Sequence, residues 1–136
     1  MSWVVDTCLI IDVLENDPVF GEASARLIDR LSKNGLTLCP VSYVELAPAF
    51  LGDRRRQDEF LTAVGIDYKE TWDWSSTQSA HQAWNRQVGL RRTKKAARRP
   101  VADILIGAFA SCRTGLLTRN PVDFKSVFPS LDIVTP

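Results

Sequence analysis

Short apolar runs recur along this chain, separated by longer amphipathic segments, and that alternation restricts the folds open to it more than any other feature. Residues 3–5, 36–41, 66–68, 116–118 and 131–134 read as strands. Between them, helical spacing marks 8–14, 19–33, a segment opening at Ser42, 57–64, 75–94, 101–112 and a short piece from Pro121. Asn34-Gly35 stops the second helix, Pro48 kinks or ends the third, and Gly115 closes the long apolar one. Strands separated by helices predict an α/β domain with a mostly parallel central sheet covered on both faces. No internal repeat or linker interrupts the pattern, and 136 residues, 45% of them hydrophobic, suit one domain over 1–136.

No basic start followed by an apolar core appears, and no apolar stretch approaches the roughly 18 residues that span a bilayer. The expectation is a cytoplasmic protein with no membrane partner. Cys8, Cys39 and Cys112 are odd in number, lack C-x-x-C spacing and sit among apolar neighbours, so they read as small buried residues in a reducing compartment. The net charge of +1 conceals an asymmetry. Seven basic residues and no acid lie between Arg86 and Arg99, whereas the remainder holds ten basic and sixteen acidic residues. Such a stretch suits a polyanion, because neutralising phosphates releases counterions, and it equally suits a solvated helix end.

In a parallel sheet the ligand crevice lies beyond the carboxyl ends of the strands. Four acids fall at those junctions: Asp6 in VVDT, Glu45 in PVSYVEL, Asp103 in RPVADILIGAFA and Asp123 in LLTRNPVDF. Each has a structural role open to it. Ser42 and Glu45 form an S-x-x-E capping box, Asn120 and Pro121 suit an N-cap and first helical position, Asp103 complements a helix dipole, and Asp6 can cap the next helix. Capping does not require four acids on one edge of one sheet. Carboxylates forced together repel, and a hard divalent cation such as Mg²⁺ or Mn²⁺ is their natural counter-charge. Beside a basic segment, that points to metal-assisted attack on a phosphodiester.

The segments VVDTCLIID, CPVSYVEL, VADILIGAFA and GLLTRNPVDF resemble, in order and spacing, the PIN-domain nucleases. In size and layout the chain is similar to the VapC-type toxin ribonucleases of bacterial toxin–antitoxin pairs. The resemblance implies a single PIN domain, a three-layer α/β/α fold, and an acidic site of Asp6, Glu45 and Asp103 binding Mg²⁺ or Mn²⁺. Many relatives carry aspartate where this chain has Asn120, so Asp123 is the candidate for a fourth acid. Asn120 and Thr118 are then candidates for orienting water or bonding into the site. The resemblance further implies an RNA substrate, a cognate antitoxin partner and a homodimer, with Arg91, Arg92, Lys94, Lys95, Arg98 and Arg99 positioning RNA phosphates.

Other readings stay beside this one. A haloacid-dehalogenase-type phosphatase also places aspartate after its first strand but needs another two residues on, where this chain has Cys8. DNA-directed metal nucleases of this kind are generally longer. A catalytically silent PIN-like module binding RNA or protein is kept open by Asn120. His81 reads as a surface or packed imidazole, Trp72 and Trp74 as packing rather than base stacking, and Arg54 to Arg56 as a solvated turn. Asp12 stays unassigned.

Overall fold

The computed structural model describes residues 2–92 and 100–136. In chain order the elements are β1 (Trp3–Val5), α1 (Thr7–Leu14), α2 (Gly21–Ser32), β2 (Leu36–Thr37), α3 (Pro40–Glu45), a 3₁₀ turn (Ala47–Phe50) and α4 (Arg54–Ala63). There follow β3 (Ile66–Asp67), α5 (Trp74–Arg92), α6 (Val101–Ser111), β4 (Gly115–Leu117), α7 (Pro121–Lys125) and β5 (Ile133–Val134). All the strand pairings are parallel, in the order β3-β2-β1-β4-β5. The strand order reverses between β1 and β4, which makes their carboxyl ends the topological switch point.

Three layers follow from the pleat of the central strands. Successive residues point to opposite faces, so Val4 and Leu116 enter one apolar cluster with Ile104, Ala108, Phe109 and Phe128. Val5 and Leu117 enter the other, with Leu9, Ile10, Leu27, Leu38 and Leu61. All four central-strand side chains are fully buried. Helices α5, α6 and α7 cover the first face; α1, α2 and α4 cover the second. Trp72 belongs to the first cluster, stacking on Phe109 at 5.9 Å between ring centroids with its indole N–H on Thr77. Trp74, by contrast, is exposed, so the packing expectation holds for Trp72 alone.

Five sequence expectations shift, each for a local reason. The segment read as a strand over 36–41 pairs only at Leu36–Thr37, plus one bond from the Leu38 N–H to the Asp67 carbonyl at 2.9 Å. Pro40 opens α3 instead: its fixed φ suits the first helical position, and it holds Cys39 extended. The helix therefore starts ahead of Ser42, whose buried hydroxyl has no hydrogen-bond partner among the described residues, and the Ser42/Glu45 capping box is not formed. The second helix begins at Gly21 because the Asp17 carboxylate takes the N–H groups of Val19 and Phe20 at 2.9 and 2.8 Å. Gly115 begins β4 rather than ending α6, packed under the Asp132 carbonyl and the Trp3 ring. Arg54 to Arg56 form the exposed first turn of α4, with Asp53 as N-cap accepting from the Arg56 N–H at 3.2 Å.

The α6 face against the segment that follows α7 is packed to its limit at Gly107, where an added Cβ would overlap the Phe128 ring. Gly107→Ala is expected to destabilise by about 1–3 kcal/mol through overpacking, despite alanine's better helix propensity. Urea unfolding checks this, and a variant as stable as the parent would show that Phe128 moves aside freely.

Candidate active site

Asp6 is the first residue beyond β1, and its N–H donates to the Leu117 carbonyl of β4 at 2.9 Å. Thr118 is the first residue beyond β4. Its hydroxyl donates to Asp6 Oδ2 at 2.7 Å, closing the switch point with a buried side-chain bond. The Cys8 thiol donates to the same oxygen at 3.3 Å. Asp6 is the N-cap residue of α1 but makes no side-chain capping hydrogen bond; its carboxylate is held at this edge by Thr118 and Cys8, with the Thr7 N–H beside it.

Burial pushes the Asp6 carboxyl above its usual range, with the Thr118 and Cys8 bonds opposing the shift and the Glu45 charge adding to it. The Cys8 thiol is pushed up to about 11, first by burial and then by the Asp6 charge, so it stands protonated as a donor. Glu45 ends α3 and is itself exposed; its Oε1 accepts from the Thr7 hydroxyl at 2.8 Å, which ties it to the residue beside Asp6.

The first turn of α6, which carries Asp103, is set toward this edge by helix geometry. Past the end of α6, the Thr114 N–H bonds the Ser2 carbonyl at the amino edge of the sheet. Eleven residues span about 16 Å, so the first turn of α6, holding half-buried Asp103, stands at the opposite, carboxyl edge. Asn120 is exposed, its N–H on Thr118 Oγ1 at 3.1 Å and its amide 4.0 Å from the Cys8 sulfur. As N-cap of α7 it makes no side-chain cap bond. Asp123 lies one turn further on, half-buried in α7, with its backbone carbonyl accepting from Ser126. Arg91 and Arg92 end α5, where Arg92 is exposed; Lys94, Lys95, Arg98 and Arg99 lie outside the described residues.

Three participants escaped sequence reasoning: Thr7, Cys8 and the Asp12–Arg119 pair. Asp12 is 3% exposed and meets Arg119 Nε at 3.3 Å, while the guanidinium lies 4.7 Å over the Phe20 ring. This ion pair ties α1 to the loop carrying Thr118 and Asn120. Burial raises the Asp12 carboxyl, and the Arg119 charge opposes that rise.

Among the described residues, no three Asp, Glu, His or Cys side chains gather into a ready-made metal cage. The donor chemistry nevertheless fits a hard cation. Mg²⁺ is usually held by one or two carboxylates, with water and substrate phosphate completing its shell. Asp6 and Glu45 supply that minimum as oxygen donors. The Asp6 carboxylate is buried with uncharged hydrogen-bond partners and a like-charged neighbour, a costly state that a cation would relieve.

No known family description and no curated protein matches the sequence. Among solved structures, the chain is similar to one in VapBC2 from Rickettsia felis, bound to a DNA fragment from their promoter. The TM-score is 0.72 at 17% identity, covering 100% of this chain and 99% of that one. The fold is PIN-like. Within this PIN-like frame, the β1–β4 switch point is occupied by the Asp6–Thr118 contact.

Because Asp6 carries a buried charge, Asp6→Asn is expected to stabilise the protein in chelator at neutral pH, since burying a charge costs stability. The folded-state pKa is raised, so the penalty is full above it and vanishes below the unfolded value. The advantage of the variant should therefore close as pH falls through the carboxylate range. Thermal unfolding in chelator checks this: a gain of about 1 kcal/mol moves Tm by roughly 4 °C, and a lower Tm for the variant would contradict it.

Proposed function

We propose that this chain is a Mg²⁺- or Mn²⁺-dependent endoribonuclease, the toxin of a toxin–antitoxin pair. The observation that carries the reading is the buried Asp6 carboxylate, fastened at the switch point of a PIN-like sheet with Glu45 linked beside it through Thr7. The full-length likeness to a chain of VapBC2 supports the toxin–antitoxin part.

In this reading Asp6, Glu45 and Asp103 hold the cation, with Asp123 as a further acid. When bound, such a cation would lower the pKa of a water and offset negative charge on the phosphate. The protein's own groups do the rest. Thr118 and Cys8 hold the Asp6 carboxylate in place, Thr7 holds Glu45, and Asn120 stands ready to orient water at the edge.

The basic run suits the same edge. Ser79 of α5 meets Ser111 at the end of α6 at 3.0 Å, so the two helices run antiparallel, and the end of α5 returns toward Asp103. Arg91, Arg92, Lys94, Lys95, Arg98 and Arg99 are thereby proposed to hold RNA phosphates beside the acids. A cognate antitoxin and a homodimer complete the proposal, in a cytoplasmic setting; among the described residues no helix is long and apolar enough to cross a membrane.

Asp6→Asn is expected to abolish RNA cleavage in Mg²⁺ or Mn²⁺, losing more than the 10–100-fold that removal of an outer-sphere partner typically costs. Circular dichroism should show the variant folded, and retained metal-dependent cleavage would sink the assignment. Neutralising Arg91, Arg92, Lys94 and Lys95 together should weaken RNA binding and shrink the slope of log K against log salt by about 3. An unchanged slope would make that run a solvated helix end.

A further inference from the structure

We propose that Thr118, Cys8 and Thr7 are positioning residues that turn one oxygen of each carboxylate toward a cation, and that this presentation selects Mg²⁺ or Mn²⁺ over Ca²⁺. The inference rests on the metal-dependent reading above and adds a basis for ion choice.

On both acids the side-chain donors gather on one oxygen, and the Thr7 N–H also supports the Asp6 carboxylate. Asp6 Oδ2 takes two side-chain donors, Thr118 at 2.7 Å and Cys8 at 3.3 Å. Those use the lone-pair capacity of that oxygen within the carboxylate plane, and among the described residues no side-chain donor reaches Oδ1. Glu45 repeats the pattern: Oε1 accepts from Thr7 at 2.8 Å, and Oε2 takes no side-chain donor among the described residues.

The donors are built to stay in place. Thr118 is fully buried and Thr7 is 8% exposed, and β-branched side chains have few χ1 wells. The Thr118 oxygen also accepts the Asn120 N–H at 3.1 Å, which directs its own hydroxyl proton toward Asp6. The Cys8 sulfur lies 3.9 Å from the Thr118 oxygen, so the two donors flank the same carboxylate oxygen as neighbours.

Ion choice follows from coordination chemistry. Ca²⁺ takes six to eight oxygens at about 2.3–2.6 Å and often uses carboxylates bidentately, whereas Mg²⁺ requires a tight octahedron at about 2.0–2.1 Å. Bidentate use of Asp6 would require Oδ2 to give up both donors, and bidentate use of Glu45 would break the Thr7 bond. Single-oxygen ligation costs neither. The clamp therefore penalises the larger ion while orienting the acids for the smaller one, as outer-sphere partners do at other metal sites.

The test titrates the intact chain with Mn²⁺, Mg²⁺ and Ca²⁺ separately, reading affinity by calorimetry and by the rise in unfolding temperature, without substrate. Wild type is expected to bind Mn²⁺ and Mg²⁺ more tightly than Ca²⁺. Thr118→Val should weaken Mn²⁺ binding about 10–100-fold while Ca²⁺ binding falls by less than about threefold, so the preference collapses. Thr118→Ser should restore it. Cys8→Ala and Thr7→Val should each narrow the preference, and they carry the test if Thr118→Val fails to fold. Equal losses for Mn²⁺ and Ca²⁺ in the folded variants would overturn the clamp while leaving the metal site standing. A wild type that binds no divalent cation would overturn the functional reading beneath it.

Discussion

The hydrogen bond from Thr118 to Asp6 is the contact on which the site depends, because it joins the ends of two strands that the chain separates by more than a hundred residues. The contact exists because β1 and β4 pair in parallel, with Val5 opposite Leu117, so the next residue of each strand emerges at the same edge. Their side chains on either face are buried in separate apolar clusters, which fixes the register: a slip of one residue would exchange the faces of every side chain on the strand. The core thus sets the position of a polar contact that the core itself does not need.

That edge works against stability. A charged carboxylate is held in a nearly dry position between an uncharged hydroxyl and an uncharged thiol, and another carboxylate lies near enough to raise its pKa further. Folding tolerates this because the two apolar clusters and the Asp12–Arg119 pair hold the surrounding elements. The same arrangement is the ground on which a bound cation is proposed.

Much of this was legible in the sequence because strand and helix periods differ. Residues 3–5 are a strand as read, and the helices after them begin and end within a few residues of expectation. Asp6 was legible from its position just past an apolar run, and it stands directly beyond β1. What periodicity cannot show is chemistry specific to one residue. Pro40 reads as part of a strand until its value as a first helical residue is weighed, and the capping-box pattern at Ser42 then loses its helix start. Cys8 sits among apolar neighbours and reads as core, yet its sulfur faces Asp6. The Asp12–Arg119 pair links residues far apart in the chain, so no local pattern announces it.

The measurement that bears most directly on the central claim is anomalous diffraction from crystals of the protein grown with Mn²⁺. The expected result is a manganese peak at the carboxyl edge between β1 and β4, within about 2.2 Å of one oxygen of Asp6 and one of Glu45. Crystals soaked in Mn²⁺ that show no peak there, with both carboxylates ordered, would contradict the account.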